Sequence, residues 1–538
     1  MSSEEFDYIV IGAGSAGCVL ANRLTASGRD RVLLLEAGGT DRSPWLRVPL
    51  GYGRTYTDPR VNWMYTAEPD PGLGGRSCYW PRGKVLGGSS AINAMVYVRG
   101  QPGDFDDWAA AGNPGWAWSD VLPYFRKAED HAWGSSEYHG AGGPLHISDV
   151  SAEVHSLCQT FIEACAERGI PFTKDFNGAH PEGAGLWQMT IRRGVRVSSA
   201  SAYLRPVMSR ANLVVRTRAL ASRIRFEGRR AAAVEFLALG SRHEARARKE
   251  IVLAAGAINS PQLLQLSGVG DSALLAGLGI VVNHHLPAVG RGLQDHVAVS
   301  YIYRSRVPTL NDVLYPLTGK IRAALQYAFG RRGPLAMSVN QAGAFVRSRA
   351  GLERPNLHLY FNPLSYTAPA TRRRLTNPDP YSAFLMSFNT CRPTSRGSVE
   401  IRSSDHLEAP AIRPNSLATD ADIADVFDGA RLLRSLSSAT PLAAVISSEL
   451  KPGPACLSDE QVLADFRSRA STVFHACCTC AMGTDPRASV VDSRLRVHGL
   501  KSLRVADASV FPSVTSGNTN APTVMVAEKA ADLILAGA

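Results

Sequence analysis

The sequence predicts an α/β fold: a Rossmann-like dinucleotide-binding domain assembled from discontinuous pieces, beside an α+β domain with an antiparallel sheet. Three observations predict it. FDYIVIGAGSAGCVLANRL and RVLLLEAGG read as strand, glycine turn, helix and strand near the start. Alternating strand patterns recur in the middle of the chain, in HLYFN, AFLMSFN and GSVEIRS. The end returns to α/β, with LRVADASVF as strand and loop and APTVMVAEKAADLILAG as a helix. A length of 538 residues, 45% hydrophobic and 20% charged, supplies a core for two or more domains and excludes a disordered or disulfide-stapled chain.

The elements follow in order. Residues 6–11 are an apolar run of strand length, and Val19, Leu20 and Leu24 have helical spacing. Residues 40–115 are rich in Gly, Pro and aromatics and read as loops. Residues 151–169 read as a helix with Phe161, Ile162, Ala164 and Cys165 on one face. Residues 213–238 read as a meander of short strands turning at Glu227–Gly228, and EIVLAAGA (250–257) as a strand leading into a helix. Segments 1–156, 208–300 and 468–538 are expected to form the dinucleotide-binding domain. Segments 157–207 and 301–467 are expected to form the second domain.

The turn Gly12-Ala13-Gly14-Ser15-Ala16-Gly17 matches G-x-G-x-x-G between a strand and a helix. The first glycine permits the tight turn, the second close approach to a pyrophosphate, and the third close helix–strand packing. Glu36, followed by Ala37, ends the next strand, where a carboxylate accepts from a ribose hydroxyl pair and disfavours a 2′-phosphate.

The net charge of +11 is spread over scattered arginines, which reads as a solvated surface and not as a nucleic-acid site. Nine cysteines without regular spacing fit reduced thiols. No run of about 18 apolar residues is free of charge, so no spanning helix is expected. MSSEEFDYIVIGAG has neither a basic segment nor an apolar leader core. A cytoplasmic location is therefore expected, with peripheral membrane contact as the alternative. Residues 317–329 put Leu317, Ile321, Ala324, Leu325 and Ala328 on one helical face, flanked by Lys320, Arg331 and Arg332. A packed helix is the first reading of that segment. A basic amphipathic patch that touches a membrane and meets a quinone is the second.

Three further segments carry a family resemblance: PRGKVLGGSSAINAMVYVRG (81–100), GAINSPQLLQLSGVG (256–270), and the block HACCTCAMG (475–483), LRVADASVFP (503–512) and SGNTNAPTVMVAEKAAD (516–532). With them the chain resembles the glucose–methanol–choline (GMC) family of FAD-dependent alcohol oxidoreductases, in its bacterial choline-, sorbose- and aliphatic-alcohol-dehydrogenase branch. The resemblance implies FAD as cofactor. It sets Gly87, Gly88, Ser89, Ser90, Asn93 and Ala94 against the flavin and its diphosphate. It adds Ala255, Gly256, Asp507, Ala508, Asn518 and Thr519 to the residues that hold the cofactor. Relatives that bind FAD covalently do so through a histidine where this chain has Ile92, so non-covalent FAD is expected.

The resemblance also implies the active-site pair. His475 matches the family's histidine and Asn518 its second position, His or Asn. An imidazole titrates near neutrality and can take the hydroxyl proton of an alcohol. An amide cannot replace that base but can orient the substrate oxygen, with Asn520 a lesser candidate. Val473 and Phe474, just before His475, are expected near the substrate. In choline-oxidising relatives a carboxylate faces the ammonium in a segment like SVNQAGAF (338–345). Gln341 stands at that place, so a neutral alcohol is expected: aliphatic or aromatic alcohol, polyol, sugar or polyether end. Tyr360, Phe361, Tyr366 and Phe384 are candidates to line the pocket, with domain core as the alternative. His475, Cys477, Cys478 and Cys480 are metal-ligand types, but paired C-x₂-C spacing is missing and no metal is expected. Thiols beside an active site raise the prospect of sensitivity to alkylating reagents. The electron acceptor is left open among a quinone, a soluble carrier and O2, with a dehydrogenase favoured over an oxidase. A flavin-containing lyase on the same fold and a non-enzymatic basic binding protein are the alternative functions.

Overall fold

The structure is a computed structural model that describes residues 4–366 and 377–537. The apolar strand Glu4–Ile11 lies at the centre of a seven-stranded sheet, paired in parallel with Val32–Glu36 on one side and Ser241–Leu253 on the other. Leu213–Thr217 extends it in parallel beyond Val32–Glu36, and Leu503–Val505 adds in parallel to the end of Ser241–Leu253. Ala219–Glu227 and Arg230–Ala238 complete it as an antiparallel hairpin. The segment around EIVLAAGA differs from expectation. It is the end of a 13-residue strand that includes ARARKE, because its first half pairs with the hairpin and its second half with the central strand.

Parallel strands must be covered on both faces. The helix Ser15–Leu24 and the C-terminal helix Asn520–Leu535 pack side by side and contribute to that cover through Val19, Leu20, Leu24, Val524, Ala527 and Ala531. The buried Glu528 joins the two helices. Its carboxylate accepts from Arg23 at 2.7 and 2.8 Å and from the Tyr203 hydroxyl at 2.9 Å.

A second seven-stranded sheet is antiparallel, in the order Ile446–Lys451, Val297–Ser305, Ala383–Thr390, Leu357–Asn362, Ala342–Val346 and Gly183–Leu186. Ser471–Thr472 pairs with the start of Val297–Ser305. Leu357–Asn362 is buried along its whole length and Ala383–Thr390 up to its last residue, so both faces of these strands are covered. One face packs on Phe161 and Leu433 of covering helices, and the other bears polar residues buried toward the site. GSVEIRS leaves this sheet. Gly397–Glu400 joins a separate three-stranded sheet with Arg291–Leu293 and Ala411–Arg413. Among the described residues, no helix is long and apolar enough to cross a membrane.

Candidate active site

The site forms where one end of the antiparallel sheet meets the N-terminus of the C-terminal helix. His296 directly precedes the strand Val297–Ser305, Cys391 directly follows Ala383–Thr390, and His475 follows Ser471–Thr472. Asn518 sits in the loop ahead of Asn520–Leu535. Strand pairing therefore brings together residues from three distant parts of the chain.

Their hydrogen bonds form one directed chain. His296 Nε2 lies 2.9 Å from the Cys391 carbonyl oxygen, which only accepts, so Nε2 carries a proton. Neutral His296 then presents a lone pair at Nδ1, 2.9 Å from His475 Nδ1. His475 must donate there, and its Nε2 is left with the lone pair. The Asn518 amide donates to that Nε2 at 2.9 Å. Burial drives the His475 pKa well below 6.5, and His296, His358 and Arg82 push it the same way. Burial also lowers His296, to about 4, against its bond to the Cys391 carbonyl.

The loop carrying His475 is held from behind by Asp295. One carboxylate oxygen accepts from the His475 amide N–H at 2.7 Å, and the other from the Thr472 hydroxyl. Burial pushes Asp295 up to about 6, while Arg82 and these donors restrain it. Phe474 has φ of +72°, a conformation costly for a bulky residue, and the Arg82 guanidinium holds its carbonyl at 2.7 Å. The Phe474 ring packs on Tyr56, and the Val473 N–H donates to the His296 carbonyl.

The glycine-rich pieces converge as a cradle. A Cβ at Gly17 would stand 1.8 Å from the Gly12 carbonyl oxygen, and one at Gly88 would stand 2.6 Å from the Gly14 Cα. No side chain fits between these backbones, so the 12–17 turn and the 87–90 turn touch directly. Ser15 Oγ donates to Asn520 Oδ1 at 2.8 Å, which brings the N-termini of Ser15–Leu24 and Asn520–Leu535 together. Two helix N-termini beside a glycine turn suit a diphosphate. That contact also turns Asn520 toward the nucleotide turn and leaves Asn518 at His475.

Glu36 accepts from the Ala13 N–H at 2.9 Å and the Gly38 N–H at 2.8 Å, one on each carboxylate oxygen. Each oxygen keeps a second lone pair for a ribose hydroxyl. Burial pushes this carboxyl up to about 7, against those amides and Lys84. Asp507 fastens the other side of the cradle, accepting from the Gly256 N–H at 2.8 Å, Ser260 Oγ at 2.6 Å and the Ser509 N–H at 2.8 Å. Ala255 donates its N–H to Ser260 Oγ, the Ala508 carbonyl accepts from the Cys478 N–H, and Thr519 directly precedes the C-terminal helix without a side-chain capping bond. Ala37 and Ala94 are half-buried, and Ser89 Oγ accepts from the Gly83 N–H. Asn93 Oδ1 accepts from the buried Arg196 at 2.7 Å, and Ser90 Oγ donates to the Gly87 carbonyl at 2.6 Å. The residues present fit FAD: close backbone approach at the phosphates, a carboxylate at the ribose and two helix N-termini.

Several expectations change. The Gln341 amide is fully engaged inside the fold. Oε1 accepts from the His155 N–H at 2.8 Å, and Nε2 donates to the Ser338 carbonyl and contacts Met337 sulfur. No polar atom of Gln341 is left for a substrate. Phe361 and Phe384 belong to the core with Phe161, because strand alternation points them at the covering helices. Tyr360 points to the opposite face and packs on His358. Cys477, Cys478 and Cys480 are fully buried and burial raises the thiols of Cys477 and Cys480, so the expected reactivity toward reagents is lost. The helix Leu317–Gly330 is packed by one narrow side only, with Ala323 its sole buried residue.

Sequence reasoning missed Arg82, Asp295, His296 and His358. The signal for two of them was present as Asp295-His296, an acid and an imidazole at the head of a core strand. His358 is buried with both ring nitrogens unpartnered, as is the Tyr360 hydroxyl.

Comparison with known proteins agrees with this geometry. Two family models described as GMC oxidoreductase match residues 6–298 and 393–527. Mitochondrial choline dehydrogenase of Mus musculus is 44% identical over 99% of this chain and 90% of that protein. Alcohol dehydrogenase [acceptor] of Pseudomonas putida is 41% identical over 98% of this chain and 96% of that protein. The crystal structure of pyridoxine 4-oxidase from Mesorbium loti superposes with a TM-score of 0.88 at 33% identity, covering 98% of each chain. Matched along both halves in order, with an FAD cradle intact between them, this chain is an FAD-dependent oxidoreductase and belongs to the GMC oxidoreductase family.

Proposed function

We propose that the protein oxidises a neutral alcohol to an aldehyde or ketone, with His475 as general base and Asn518 as the group that positions the substrate oxygen. The single observation that carries this reading is the directed chain from Cys391 through His296 to His475, which leaves an unprotonated Nε2 beside an amide donor. An entering alcohol displaces the Asn518 amide from His475 Nε2: its hydroxyl donates to Nε2 while its oxygen accepts from Asn518 Nδ2. Proton transfer to Nε2 then leaves an imidazolium whose Nδ1–H remains bound to His296. Bound FAD supplies the acceptor for the hydride that leaves the alcohol carbon. Ile92 is packed among Leu46, Val61, Val85 and Ala91 and has no nucleophilic atom, which supports non-covalent FAD.

Neutrality of the substrate is supported by the charges around His475. The groups that shift the pKa of its ring are His296, His358 and Arg82, and the nearby Asp295 carboxylate is already engaged by the His475 amide and the Thr472 hydroxyl. A quaternary ammonium would meet Arg82 and neutral imidazoles there, with Asp295 turned to the back of the loop and not free to pair with it. The names of the choline-oxidising relatives favour a second reading, choline itself.

Anaerobic addition of alcohols to the oxidised holoenzyme tests this directly. Octanol, benzyl alcohol, sorbose or a polyethylene glycol is expected to bleach the flavin absorbance, and choline is not. Bleaching by choline alone overturns the neutral-alcohol reading, and bleaching by no alcohol moves the assignment to a lyase. Catalytic turnover with a quinone or dye under anaerobic conditions, compared with turnover in air, separates dehydrogenase from oxidase.

A further inference from the structure

We propose that the helix Leu317–Gly330 is a docking surface for an anionic lipid bilayer. This does not rest on the substrate reading, because docking requires no turnover. Exposure is the first observation. Leu317 is 73% exposed, Ile321 52%, Leu325 52% and Phe329 88%, and Ala323 is the helix's sole buried residue. At about 100° per residue, Ala323 and the half-buried Gly319 and Tyr327 lie on one side. Leu317, Ile321, Leu325, Ala328 and Phe329 lie on the other. The apolar stripe therefore points away from the protein.

Charge is the second observation. Lys320 and Arg322 border the stripe on its two flanks, and Arg331 and Arg332 follow at its C-terminal end, all exposed. The sequence holds no acidic residue between Asp312 and Glu353. An apolar face bordered by cations matches the acyl boundary and the anionic headgroups of a bilayer. It does not match a second copy of this chain. A two-fold contact through the stripe would set these cations against their equivalents without a local counter-charge.

Placement gives the surface a use. Ala323 rests on a cluster of Leu310, Leu314, Val339 and Leu364 that also holds Tyr52 and Tyr366. Next along the chain from Tyr52, Tyr56 packs on Phe474, the neighbour of His475. A bilayer on this face lies beside the segment that walls the active site, and an amphiphilic alcohol or acceptor dissolved in it is concentrated there.

Flotation of the holoenzyme with vesicles tests the proposal. The probes are vesicles of phosphatidylcholine alone and of phosphatidylcholine with phosphatidylglycerol. The wild type is expected to float with the anionic vesicles and only weakly with the neutral ones. I321E/F329E is expected to lower the bound fraction roughly tenfold, while flavin content and turnover with a soluble dye acceptor stay at wild-type levels. K320E/R322E is expected to remove the preference for anionic vesicles. Retained dye turnover shows that a variant has folded. Wild-type protein that stays with neither vesicle overturns the proposal, as does unchanged flotation of I321E/F329E. Sedimentation as a dimer that I321E/F329E splits assigns the stripe to a second copy and also overturns it.

Discussion

His475 Nδ1 stands 2.9 Å from His296 Nδ1, with the two buried rings at 89° to each other. Two imidazole nitrogens at this distance share one proton, and the Cys391 carbonyl decides which ring owns it. The tautomer of the active-site histidine is thus set from a sheet strand behind it.

One consequence concerns pH. Protonation of Nε2 removes the lone pair, so in the proposed mechanism His475 serves as base only when neutral. Its pKa lies well below 6.5, because burial, His296, His358 and Arg82 all oppose the charge. The value of kcat/KM, measured between about pH 5 and 9, is expected to be flat through neutrality and to fall only on the acid side. A limb centred at or above pH 7 contradicts this. His475→Ala is expected to keep FAD and lower turnover roughly 10²–10⁴-fold.

His296 acts through His475. His296→Leu removes the acceptor at Nδ1 and frees the His475 ring to turn or to change tautomer. A loss of roughly a hundredfold in kcat is expected, with KM little changed and flavin retained. His296→Gln, whose amide offers an acceptor, should recover part of the loss. Equal loss in both variants, with a fall in Tm, would mark the residue as structural only.

The cofactor cradle depends on backbone contact. Gly88 has φ of +52°, and a Cβ there stands 2.6 Å from the Gly14 Cα. Gly88→Val is expected to yield protein without flavin absorbance, even after incubation with FAD. A full flavin complement in that variant would show that the two turns can part without cost.

Gln341→Glu separates a core amide from a substrate-facing one. The new carboxylate must face the Ser338 carbonyl without a proton to offer. A cost of about 1–3 kcal/mol is expected from the unsatisfied buried group, read as a lower Tm. Choline should still fail to bleach the flavin. Choline turnover gained by this variant would return the residue to the substrate pocket.

A buried charge cluster sets a stability window. Glu129 accepts from Arg99 at 2.6 Å and contacts His139 at 3.1 Å, and the other His139 nitrogen lies 2.8 Å from Asp175. Burial would raise Glu129, but Arg99 and His139 hold it at about 2. Burial would lower His139, but Asp175 and Glu129 raise it above 6.5. The raised His139 stabilises fully below pH 6.5 and loses that contribution as pH climbs through its folded pKa. The depressed Glu129 contributes above 4.5 and loses it toward 2. Melting temperature is therefore expected to peak between these limits and to decline above neutrality, with a smaller decline in His139→Gln. A wild-type Tm that rises from pH 6.5 to 8.5 contradicts this.

Much of the molecule was legible from local pattern. The 12–17 turn follows FDYIVI and opens its helix, and the strand, turn, helix and Glu36 stand where spacing set them. His475 and Asn518 were read from their motifs, and the structure brings them into contact. Residues whose role depends on a distant partner were not legible. His296 reads as the end of a loop until strand pairing sets it against His475, 179 positions away. Gln341 reads as a substrate contact until its amide is seen bound to His155, 186 positions earlier.

Local pattern alone gives the parallel nucleotide-binding unit, and the family resemblance adds the cofactor class and the proposed pair His475 and Asn518. The first rests on short-range spacing, a strand length and a glycine where no Cβ fits, and the others on signature segments that resemble the family's. Only the tertiary structure decided which tautomer His475 holds, which aromatic rings are core, that the extra thiols are sealed, and that the helix Leu317–Gly330 turns its apolar stripe outward. Those properties depend on burial and on which atoms face one another across the sheets. Periodicity tells which residues share a face, but only packing tells whether that face meets protein or solvent.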